Sequence, residues 1–302
     1  MSKNILLSIC IPTNGIVEWV LPVLESIYRQ NGDNEEIEVI VTDNGNNCEF
    51  EKTMRDYLEQ HRNLVYQKTG AKQFLNQIEA FKLARGEFIK FLNHRMTMRE
   101  GALVYLLDFV KKHLDTKPIC YFLNGMDANL QEENNYGSFD KYVGALSYWS
   151  SWSAGTAMWR EDFIKMQFDK PFNELFPHTD IVFCEKSRSE YIIVNKMLFE
   201  ELPIQNIKKG TYNLFYAFAV EYISIILELF CEKYIGIETF LKIKKENAYF
   251  VAQQFWAYII RKKDCSYDLS DYDKYLKVYY KKSDIYINIG IFLVKKYLIH
   301  LN

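Results

Sequence analysis

Three stretches of the sequence place polar side chains directly after an apolar run of strand length. The stretches are Pro12-Thr13-Asn14, Thr42-Asp43-Asn44 and Asn93-His94-Arg95. Ligands of open α/β sheets bind at the carboxyl ends of the strands, so these residues are candidates for a binding edge. An aspartate such as Asp43 can accept hydrogen bonds from a nucleoside, or it can simply close its strand as an Asx turn. Both interpretations of Asp43 stay open from the sequence.

Apolar runs of strand length alternate with helical patterns through the first part of the chain. The predicted strands are residues 5–11, 38–42, 64–67, 87–92 and 119–123. The predicted helices are residues 20–29, 48–60, 72–84 and 102–113. This alternation predicts an α/β fold with a mixed, mostly parallel sheet flanked by crossover helices. Residues 127–148 lose periodicity and are predicted as a loop, and residues 191–201 are predicted as a hairpin.

The character of the sequence changes after Pro203. Residues 211–233, 237–262 and 285–301 are predicted as helices rich in Tyr, Phe, Ile and Lys. We therefore predict a ligand-binding domain at residues 1–205 and a helical C-terminal extension at residues 206–302. Lysines beside apolar residues on the last helices suit a helix lying on an anionic bilayer. They equally suit a tail that packs on the core, or on a second subunit of a homo-oligomer.

Composition and charge argue against several classes of protein. The formal net charge of −2 argues against a dedicated nucleic-acid binder. Six cysteines without CxxC spacing indicate reduced thiols in a cytoplasmic protein, with neither a disulfide framework nor a zinc site. No signal-peptide pattern and no run of about 18 uninterrupted apolar residues is present, so we expect a soluble or peripheral protein. The missing GxGxxG fingerprint argues against an NAD-dependent dehydrogenase.

Several motifs are informative through their order and spacing. They are SICIPTNG, EVIVTDNG, the helix residues Asn76, Ala80 and Ala84 before GEFI, and FLNHRMTMREGALVYLL. Together they resemble the family-2 glycosyltransferases, which have the GT-A (Rossmann-like) fold, over residues 5–110 and more weakly over residues 176–183. In that family the strand ends in Leu-Asp-x-Asp, and a helix near Gly-Ala-Leu follows. Setting Gly101-Ala102-Leu103 in register places Asn93 on the first aspartate and Arg95 on the second.

The resemblance implies a diphosphate site at this strand end, because the family's aspartates hold a divalent cation that bridges the donor diphosphate. Asn93 offers only a neutral carbonyl and Arg95 a positive charge, so we predict no metal and no other cofactor. We predict that Arg95, with Asn93 and His94, compensates the charge of the leaving diphosphate. The alternative is a decayed site with Arg95 on the surface.

Two further sets of ligand contacts are predicted. The resemblance implies nucleotide contacts from five residues, Pro12, Thr13, Asn14, Asp43 and Asn76. Lys208 and Lys209 precede a predicted helix for which Thr211 is a good N-cap, and such a helix start favours an anion. We therefore predict that both lysines bind the diphosphate, although an ordinary lysine-rich linker would have the same composition.

The acceptor side needs a base, because inverting transfer removes a proton from the attacking hydroxyl. We predict Asp180, within PHTDIVF, as this base, with helix capping as its alternative role. Residues 153–156 are bracketed by three tryptophans, Trp149, Trp152 and Trp159. We predict that Trp152 and Gly155 contact the acceptor, and that at least one of the tryptophans packs in the core.

The resemblance implies an inverting glycosyltransferase that moves a sugar from a nucleotide-sugar donor, expected to be a UDP-sugar. The expected acceptor is a glycan or a lipid-linked glycan of bacterial surface polysaccharide, such as capsule or O-antigen, at the cytoplasmic membrane face. The alternative is a non-catalytic sugar-nucleotide binder or scaffold in a polysaccharide assembly. A nucleotidyltransferase is disfavoured, because residues 13–17 lack the basic side chains of a phosphate loop.

Overall fold

A computed structural model describes residues 4–166, 171–203 and 210–299 of the chain. The chain forms two compact units. We call them the sheet unit, Met1–Ser138 with Ser150–Pro203, and the helical unit, Phe139–Trp149 with Ile204–Asn302. The predicted domains, residues 1–205 and 206–302, differ from these units in the short segment Phe139–Trp149 and by two residues at the boundary after Pro203.

The centre of the sheet unit is a five-stranded sheet with the strand order β3-β2-β1-β4-β8. Its strands are β1 (Leu7–Thr13), β2 (Ile37–Asp43), β3 (Leu64–Lys68), β4 (Phe88–Phe91) and β8 (Ala157–Trp159). The first four strands are parallel, and β8 runs antiparallel to β4. All of β2 and all of β1 except Pro12 are buried, as expected for strands covered on both faces. The predicted fold class is confirmed.

Helices connect these strands and cover the sheet. The helices of the sheet unit are α1 (Val17–Tyr28), α2 (Cys48–Gln60), α3 (Asn76–Leu83), α4 (Ala102–His113), α6 (Arg160–Lys165) and α7 (Pro177–Val182). In α4 the residues Leu103, Leu106, Leu107 and Val110 recur at helical spacing and are buried. One apolar stripe of this kind is sufficient to anchor a helix on a sheet. The bounds predicted for α2 and α4 are those observed.

The amino ends of the central strands are closed by the buried carboxylate of Glu38. It accepts hydrogen bonds from Ser8 Oγ at 2.6 Å and from the Arg85 backbone N–H at 2.6 Å. Arg85 also pairs with it through its guanidinium at 2.8 Å. Gly86 fits here because a Cβ would lie 2.7 Å from Ser8 Oγ. The Glu38 carboxylate is thus committed within the fold at this end of the sheet.

Two smaller sheets complete the sheet unit. A three-stranded sheet has the order β6-β9-β7, and β5 pairs with β10. The strands are β5 (Met96–Met98), β6 (Ile119–Phe122), β7 (Glu133–Tyr136), β9 (Tyr191–Val194) and β10 (Phe199–Glu201). The predicted loop over residues 127–148 is therefore wrong, because it contains β7 and a helix, α5 (Phe139–Leu146).

The predicted hairpin is also wrong, since β9 and β10 lie in different sheets. The residues between them bond to another loop instead. Asn195 donates from Nδ2 to the Asp127 carbonyl at 2.7 Å. Asn124 Oδ1 accepts from the backbone N–H groups of Leu198 and Phe199 at 2.7 and 2.9 Å. These side-chain bonds take up the polar groups that a hairpin turn would have used.

The helical unit confirms the predicted C-terminal helices. Besides α5 it contains α8 (Leu214–Tyr216), α9 (Tyr222–Cys231), α10 (Ile237–Gln254), α11 (Tyr272–Tyr279) and α12 (Lys282–Ile299). Tyr222 is fully buried, and its hydroxyl donates to the Ser147 carbonyl at 2.7 Å. Asn247 is also fully buried and donates to the Phe218 carbonyl and the Tyr280 hydroxyl at 2.8 Å each. These polar contacts fix how the helices of this unit pack.

One helical stretch, Leu214–Cys231, could cross a membrane by length and composition alone. Of its 18 residues, 44% are buried inside the fold. Tyr222, Ile223 and Ile226 are among the fully buried ones, as in the core helix of a folded unit. Within the described residues no other helix meets the same length and composition limits.

The start of this stretch corrects a prediction. Asn213, and not Thr211, is the N-cap, because its Oδ1 accepts the backbone N–H three residues later at 2.9 Å. The Asn213 amide also donates to the Asp268 carboxylate at 3.1 Å. A carboxylate beside a helix start opposes the binding of another anion there. Lys208 and Lys209, the other part of that predicted anion site, lie outside the described residues.

Candidate active site at the carboxyl ends of the strands

The ends of β1 and β2 are tied together by one buried amide. Thr13 and Asp43 are paired in register, and Asn76 at the start of α3 donates to the carbonyls of Thr13 and Thr42 at 3.1 and 2.8 Å. Its Oδ1 accepts from Thr69 Oγ1 at 2.7 Å. Asn76 is only 2% exposed, so its amide is committed within the fold. A direct contact between Asn76 and a nucleotide stays a prediction.

The Asp43 carboxylate is fully buried and holds several donors. Its Oδ1 accepts the Gly45 N–H at 2.7 Å, which is the bond of an Asx turn. Its Oδ2 accepts from the Tyr66 hydroxyl and from Lys68 Nζ, both at 3.0 Å. Burial and then the Asp43 charge raise the pKa of Tyr66, which keeps this hydroxyl a donor. The turn role of Asp43 is thus realised, and its nucleoside contact stays a prediction.

The chain beyond these two strand ends is closely apposed. A Cβ at Gly45 would lie 1.9 Å from the Asn14 carbonyl oxygen, so only glycine permits this approach. Thr13 is buried, whereas Pro12 is partly exposed and Asn14 is exposed. Pro12 and Asn14 are therefore the accessible members of this predicted nucleotide edge.

Asn93 folds back on the residues that follow it. Its Oδ1 accepts the Arg95 N–H at 3.0 Å, and its carbonyl accepts the Met96 N–H at 2.9 Å. The resulting turn ends β4 and starts β5. Asn93 Oδ1 therefore shapes the turn that positions Arg95. The contact of Asn93 with a diphosphate stays a prediction, and the Nδ2 amide group is the part of the side chain left to make it.

His94 is held between two neighbours. Its Nδ1 lies 2.9 Å from Thr13 Oγ1, and its ring meets Trp19 edge-on at 5.0 Å between centroids. Burial, with a smaller contribution from Arg95, lowers the pKa of His94 to about 3. The imidazole is therefore neutral near pH 7 and adds no positive charge to the site. It can donate one hydrogen bond, which is less than a cationic partner of a diphosphate would supply.

Arg95 carries the positive charge of the turn after β4. Its guanidinium carbon lies 5.5 Å from the centre of the Trp19 ring. Two of its nitrogens, Nε and Nη1, are shielded from solvent and have no hydrogen-bond partner among the residues described. Leaving such a buried donor unpaired costs about 1–3 kcal/mol, and more for a charged group. A guanidinium binds an anion through paired donors on one edge, so Arg95 has the charge and the kind of donors that a phosphate group requires.

The backbone of Arg95 is fixed by the neighbouring chain. Its carbonyl accepts the Leu202 N–H at 2.8 Å, and β5 and β10 pair directly after it. The direction of the Arg95 side chain is therefore set by a turn on one side and by a strand pair on the other. A preorganised cation of this kind needs little reordering when an anion arrives.

The donor atoms at this edge do not fit a divalent cation. In the part of the chain that the structure describes, no group of three or more His, Cys, Asp or Glu side chains could hold a metal ion. Asn93 uses its carbonyl oxygen within the turn, and Asp43 is held by Tyr66 and Lys68. Magnesium and calcium require several available oxygen ligands. The Arg95 charge would also repel such an ion.

The segment of residues 152–156 lies directly beside this edge. Phe91, which precedes the turn, donates its N–H to the Thr156 carbonyl at 3.1 Å. Gly155 is buried against Tyr121, and a Cβ there would lie 2.2 Å from that ring. The Tyr121 hydroxyl donates to the Trp152 carbonyl. Trp152 itself is partly exposed, so it is available for the predicted acceptor contact.

The short helix α7 is bonded to the start of the same segment. Thr179 Oγ1 donates to the Ser150 carbonyl at 3.1 Å, and His178 Nε2 donates to the Ser151 carbonyl at 2.8 Å. Burial lowers the pKa of His178 to about 4, so this ring is neutral at pH 7. The hydrogen bonds therefore place α7 next to the residues that lead into Trp152.

Asp180 lies on α7, directly after these two residues. Its Oδ2 accepts the Asn173 backbone N–H at 2.6 Å, which ties α7 to the chain before it. The side chain is partly exposed. Asp180 thus contacts the backbone before α7 and is not the N-cap of this helix, which is Phe176, and its function as a base stays a prediction.

Comparison with known families decides the identity. The profile of Glycosyl transferase family 2 matches residues 8–178, which is more than half of the chain. The chain belongs to this family. The match covers the strand ends, the turn of Asn93–Arg95 and the first part of α7, so the predicted family membership is confirmed. Among curated proteins, none matches the sequence.

Solved structures of S. aureus TarS are similar in fold to this family-2 glycosyltransferase. The complex of TarS 1–349 with UDP-GlcNAc gives a TM-score of 0.58 at 16% identity, over 85% of this chain and 76% of that chain. The complex of TarS 1–349 with UDP gives 0.51 at 13% identity, over 84% and 72%. At such identities the likeness concerns the fold, and the predicted GT-A architecture is confirmed.

Two residues of the site were missed in the sequence of this glycosyltransferase. Trp19 contacts both His94 and Arg95, but nothing in the sequence around it in α1 indicates that it belongs to the site. Lys90 is a lysine within the apolar strand residues FIKF, and that contrast could have drawn attention to it. Trp159, by contrast, is 1% exposed and donates to the Pro118 carbonyl at 2.8 Å, as expected for a core tryptophan.

Proposed function

We propose that this family-2 glycosyltransferase is an inverting enzyme that transfers a sugar from a nucleoside diphosphate donor to an acceptor hydroxyl. The observation that carries the proposal is the Arg95 guanidinium in the turn after β4, where Nε and Nη1 are shielded from solvent and have no hydrogen-bond partner among the residues described. A UDP-sugar is the proposed donor, and the TarS complexes with UDP-GlcNAc and UDP support that choice.

In the proposed reaction the acceptor oxygen attacks the anomeric carbon of the donor sugar. The bond from that carbon to the β-phosphate oxygen breaks, and the nucleoside diphosphate leaves with both bonding electrons. Arg95 donates to the phosphate oxygens on which this negative charge grows. Asp180 takes the proton of the attacking hydroxyl.

We propose that no metal takes part, since Arg95 supplies a positive charge and the neighbouring donors do not fit a cation. The nucleoside meets the chain at Pro12, Thr13 and Asn14, with Asp43 setting the shape of that edge. The acceptor meets Trp152 and Gly155, in the segment that α7 and Asp180 adjoin. Both assignments rest on the side-by-side placement of β1, β2 and β4.

The proposed acceptor is a glycan or lipid-linked glycan of bacterial surface polysaccharide at the cytoplasmic face of the membrane. Support comes from α12, where Tyr286, Ile287, Ile291 and Val294 are all exposed. The opposite face of the helix, with Ile285 and Ile289, is buried. A helix that exposes apolar residues next to lysines is suited to an interface with lipid.

Lysines flank this exposed face, which we call the α12 face. Lys281 and Lys282 lie at its beginning, and Lys295 and Lys296 lie near its end, all exposed. Each lysine near an anionic membrane surface contributes about 1 kcal/mol of attraction. We propose that the α12 face lies on an anionic bilayer, with a second subunit as the competing occupant.

A non-catalytic sugar-nucleotide binder is the second candidate. The observation that favours it is the Asp180 carboxylate, which already accepts the Asn173 N–H at 2.6 Å. A hydrogen bond to the charged form of a carboxylate makes it a weaker base. A binder would retain the Arg95 site and would not transfer sugar.

The test of the donor site compares Arg95→Gln with Arg99→Gln in calorimetric titrations with UDP. Arg99 is a matched control, because it is exposed and lies four residues further along the same chain segment. Hydrogen bonds to charged groups contribute about 1.5–3 kcal/mol, so Arg95→Gln should weaken UDP binding by about 10- to 100-fold. Arg99→Gln should bind UDP like the original chain. Equal affinities for both variants would contradict the proposal.

The metal-free part is tested by a donor screen. Transfer and donor hydrolysis are measured across nucleotide sugars with EDTA and with added Mn²⁺. We expect the same rate in both conditions, because Arg95 performs the charge compensation. Loss of activity in EDTA would overturn the metal-free mechanism, and UDP binding without turnover of any donor would favour the binder.

A further inference from the structure

Lys90 is a fully buried lysine in the middle of β4. Lysines are almost never completely buried without a partner of opposite charge. Here Nζ donates to three backbone carbonyls, those of Phe91 at 2.6 Å, Ala154 at 2.7 Å and Thr156 at 3.3 Å. Two of these carbonyls belong to residues 152–156, the segment that carries the proposed acceptor contacts.

The surroundings of the ammonium are apolar and neutral. Nζ lies 5.3 Å from the centre of the Phe122 ring and 4.9 Å from that of Phe199. The titratable group that acts on Lys90 is the buried Cys120 thiol on β6, and burial raises the pKa of that thiol. Cys120 is therefore neutral near pH 7 and provides no counter-ion.

We propose that Lys90 is a positioning residue, whose protonated amine holds residues 152–156 against β4 in the arrangement that accepts the second substrate. An ammonium has three N–H donors, one for each of the three carbonyls. A neutral amine has two, so deprotonation releases one carbonyl. This inference rests on the proposed function, because it deepens the acceptor role of Trp152 and Gly155.

The number of hydrogen bonds that Lys90 makes should decrease as the pH rises. Burial lowers the pKa of Lys90 to about 7, so the ammonium predominates below that pH and the amine above it. On the acid side the ammonium holds residues 152–156 by two bonds and β4 by a third, and on the alkaline side the amine keeps two of these three bonds. The contribution of Lys90 to global stability has the opposite sign. The unfolded chain keeps this proton up to about pH 10.5, so the stability contribution rises between about pH 7 and 10.5.

The first test needs no activity and no variant. Hydrogen exchange of peptides covering residues 150–156 is measured in the full chain at pH 6 and pH 8.5, with each rate divided by its intrinsic value. We expect several-fold faster normalised exchange at pH 8.5 in these peptides, and no change in peptides of α2. Equal normalised exchange at both pH values would overturn the proposed loosening.

The second test separates acceptor from donor. Lys90→Met keeps the length and fills the apolar site but removes all three donors, and Lys111→Met is its surface control. In the original chain we expect the acceptor KM to rise several-fold between pH 6 and 8.5, with the donor KM unchanged. Lys90→Met should show a raised acceptor KM of about tenfold at every pH and no dependence on pH over this range.

The two tests distinguish a failure of the positioning role of Lys90 from a failure of the proposed function. If Lys90→Met raised the donor and acceptor KM equally, or left the pH dependence of the acceptor KM intact, the positioning role would be wrong. If no donor were turned over by the original chain, the proposed function would fail, while the hydrogen-exchange result on residues 150–156 would still decide whether Lys90 holds the segment. If Lys90→Met did not fold, the pH series of the original chain would decide it alone.

Discussion

The sheet unit and the helical unit differ in what stands out at the regions to which we assign function: buried polar side chains in the sheet unit, and exposed apolar side chains on α12 of the helical unit. In the sheet unit, Asp43, Asn76 and Lys90 are polar or charged side chains with at most 2% exposed surface, and each holds several hydrogen bonds. In the helical unit, Ile287 and Val294 are large apolar side chains that are about 60% exposed. Buried polar networks fix one geometry, because any loosening leaves a group unpaired.

The difference separates two tasks. The sheet unit places a few atoms with precision, as binding and chemistry require. The helical unit offers an apolar surface with lysines around it, which suits a broad and deformable partner such as a bilayer. Substitutions in the sheet unit should therefore have large and specific effects, whereas single substitutions on the α12 face should have small effects that accumulate.

The largest effect is expected at Asp180. Asp180→Asn keeps an acceptor for the Asn173 N–H and removes the base, so we expect kcat for transfer to fall by about 10³-fold. The affinity for UDP should stay within twofold. Steady-state transfer assays and calorimetry measure the two quantities, with Glu161→Gln as the control for loss of one negative charge. A variant that kept more than a tenth of the rate would exclude Asp180 as the base.

An intermediate effect is expected from pH. The buried His178 has a pKa of about 4 against 6.5 for the unfolded chain, so the unfolded state binds more protons as the pH falls. Its stability contribution is present above pH 6.5 and is lost towards pH 4, by about 2 kcal/mol between pH 7.5 and 5. Urea unfolding of the original chain and of His178→Gln at both pH values measures this loss.

In the urea experiment, the stability lost between pH 7.5 and 5 should be about 2 kcal/mol smaller in His178→Gln than in the original chain. His61→Gln is the control, because that ring lies partly exposed beside Asp33. If both variants lost the same stability on acidification as the original chain, the buried neutral state of His178 would be wrong. His94, whose pKa is also lowered by burial, should add to the loss in the same direction.

The smallest effect is expected on the α12 face. Ile291→Ser should reduce the binding of the chain to phosphatidylglycerol vesicles by about tenfold, because one partly buried isoleucine contributes roughly 1.5 kcal/mol. Ile164→Ser removes an exposed isoleucine from the sheet unit and should leave binding unchanged. Sedimentation with vesicles measures both. Equal vesicle binding by the two variants would contradict the proposed membrane contact. A change in oligomeric state with Ile291→Ser would indicate that a second subunit covers the α12 face.

Periodicity and turn signals were enough to predict most of the sheet unit. The central strands are continuous apolar runs, and helices such as α2 and α4 have a single apolar stripe, so local patterns and burial agree. The hairpin at residues 191–201 failed for a nonlocal reason. Its strands are separated because Asn124 and Asn195 bond to distant backbone groups, which no local pattern reports.

The site was harder to predict than the fold. The residue type of Arg95 indicated a cation at the strand end, but the loss of charge on His94 depends on its burial against Trp19, which is distant in sequence. The Asx turn of Asp43 was foreseen only as an alternative, because an aspartate at a strand end serves either purpose, and the bond from the Asn173 N–H to Asp180 was not foreseen. The role proposed for Lys90 depends on hydrogen bonds to carbonyls that lie 64 and 66 residues further along the chain, which no local pattern predicts.

The amide of Asn76 makes it possible for residues of the site to be substituted during evolution while the strand ends keep their arrangement. It holds the carbonyls of Thr13 and Thr42 and accepts a hydrogen bond from Thr69 Oγ1, so all of its side-chain bonds lie within the fold. The shape of the edge is therefore maintained by a residue that need not meet the substrate. Residues in front, such as those of the turn at Asn93–Arg95, can exchange one means of neutralising a phosphate for another while the strands behind them stay in place.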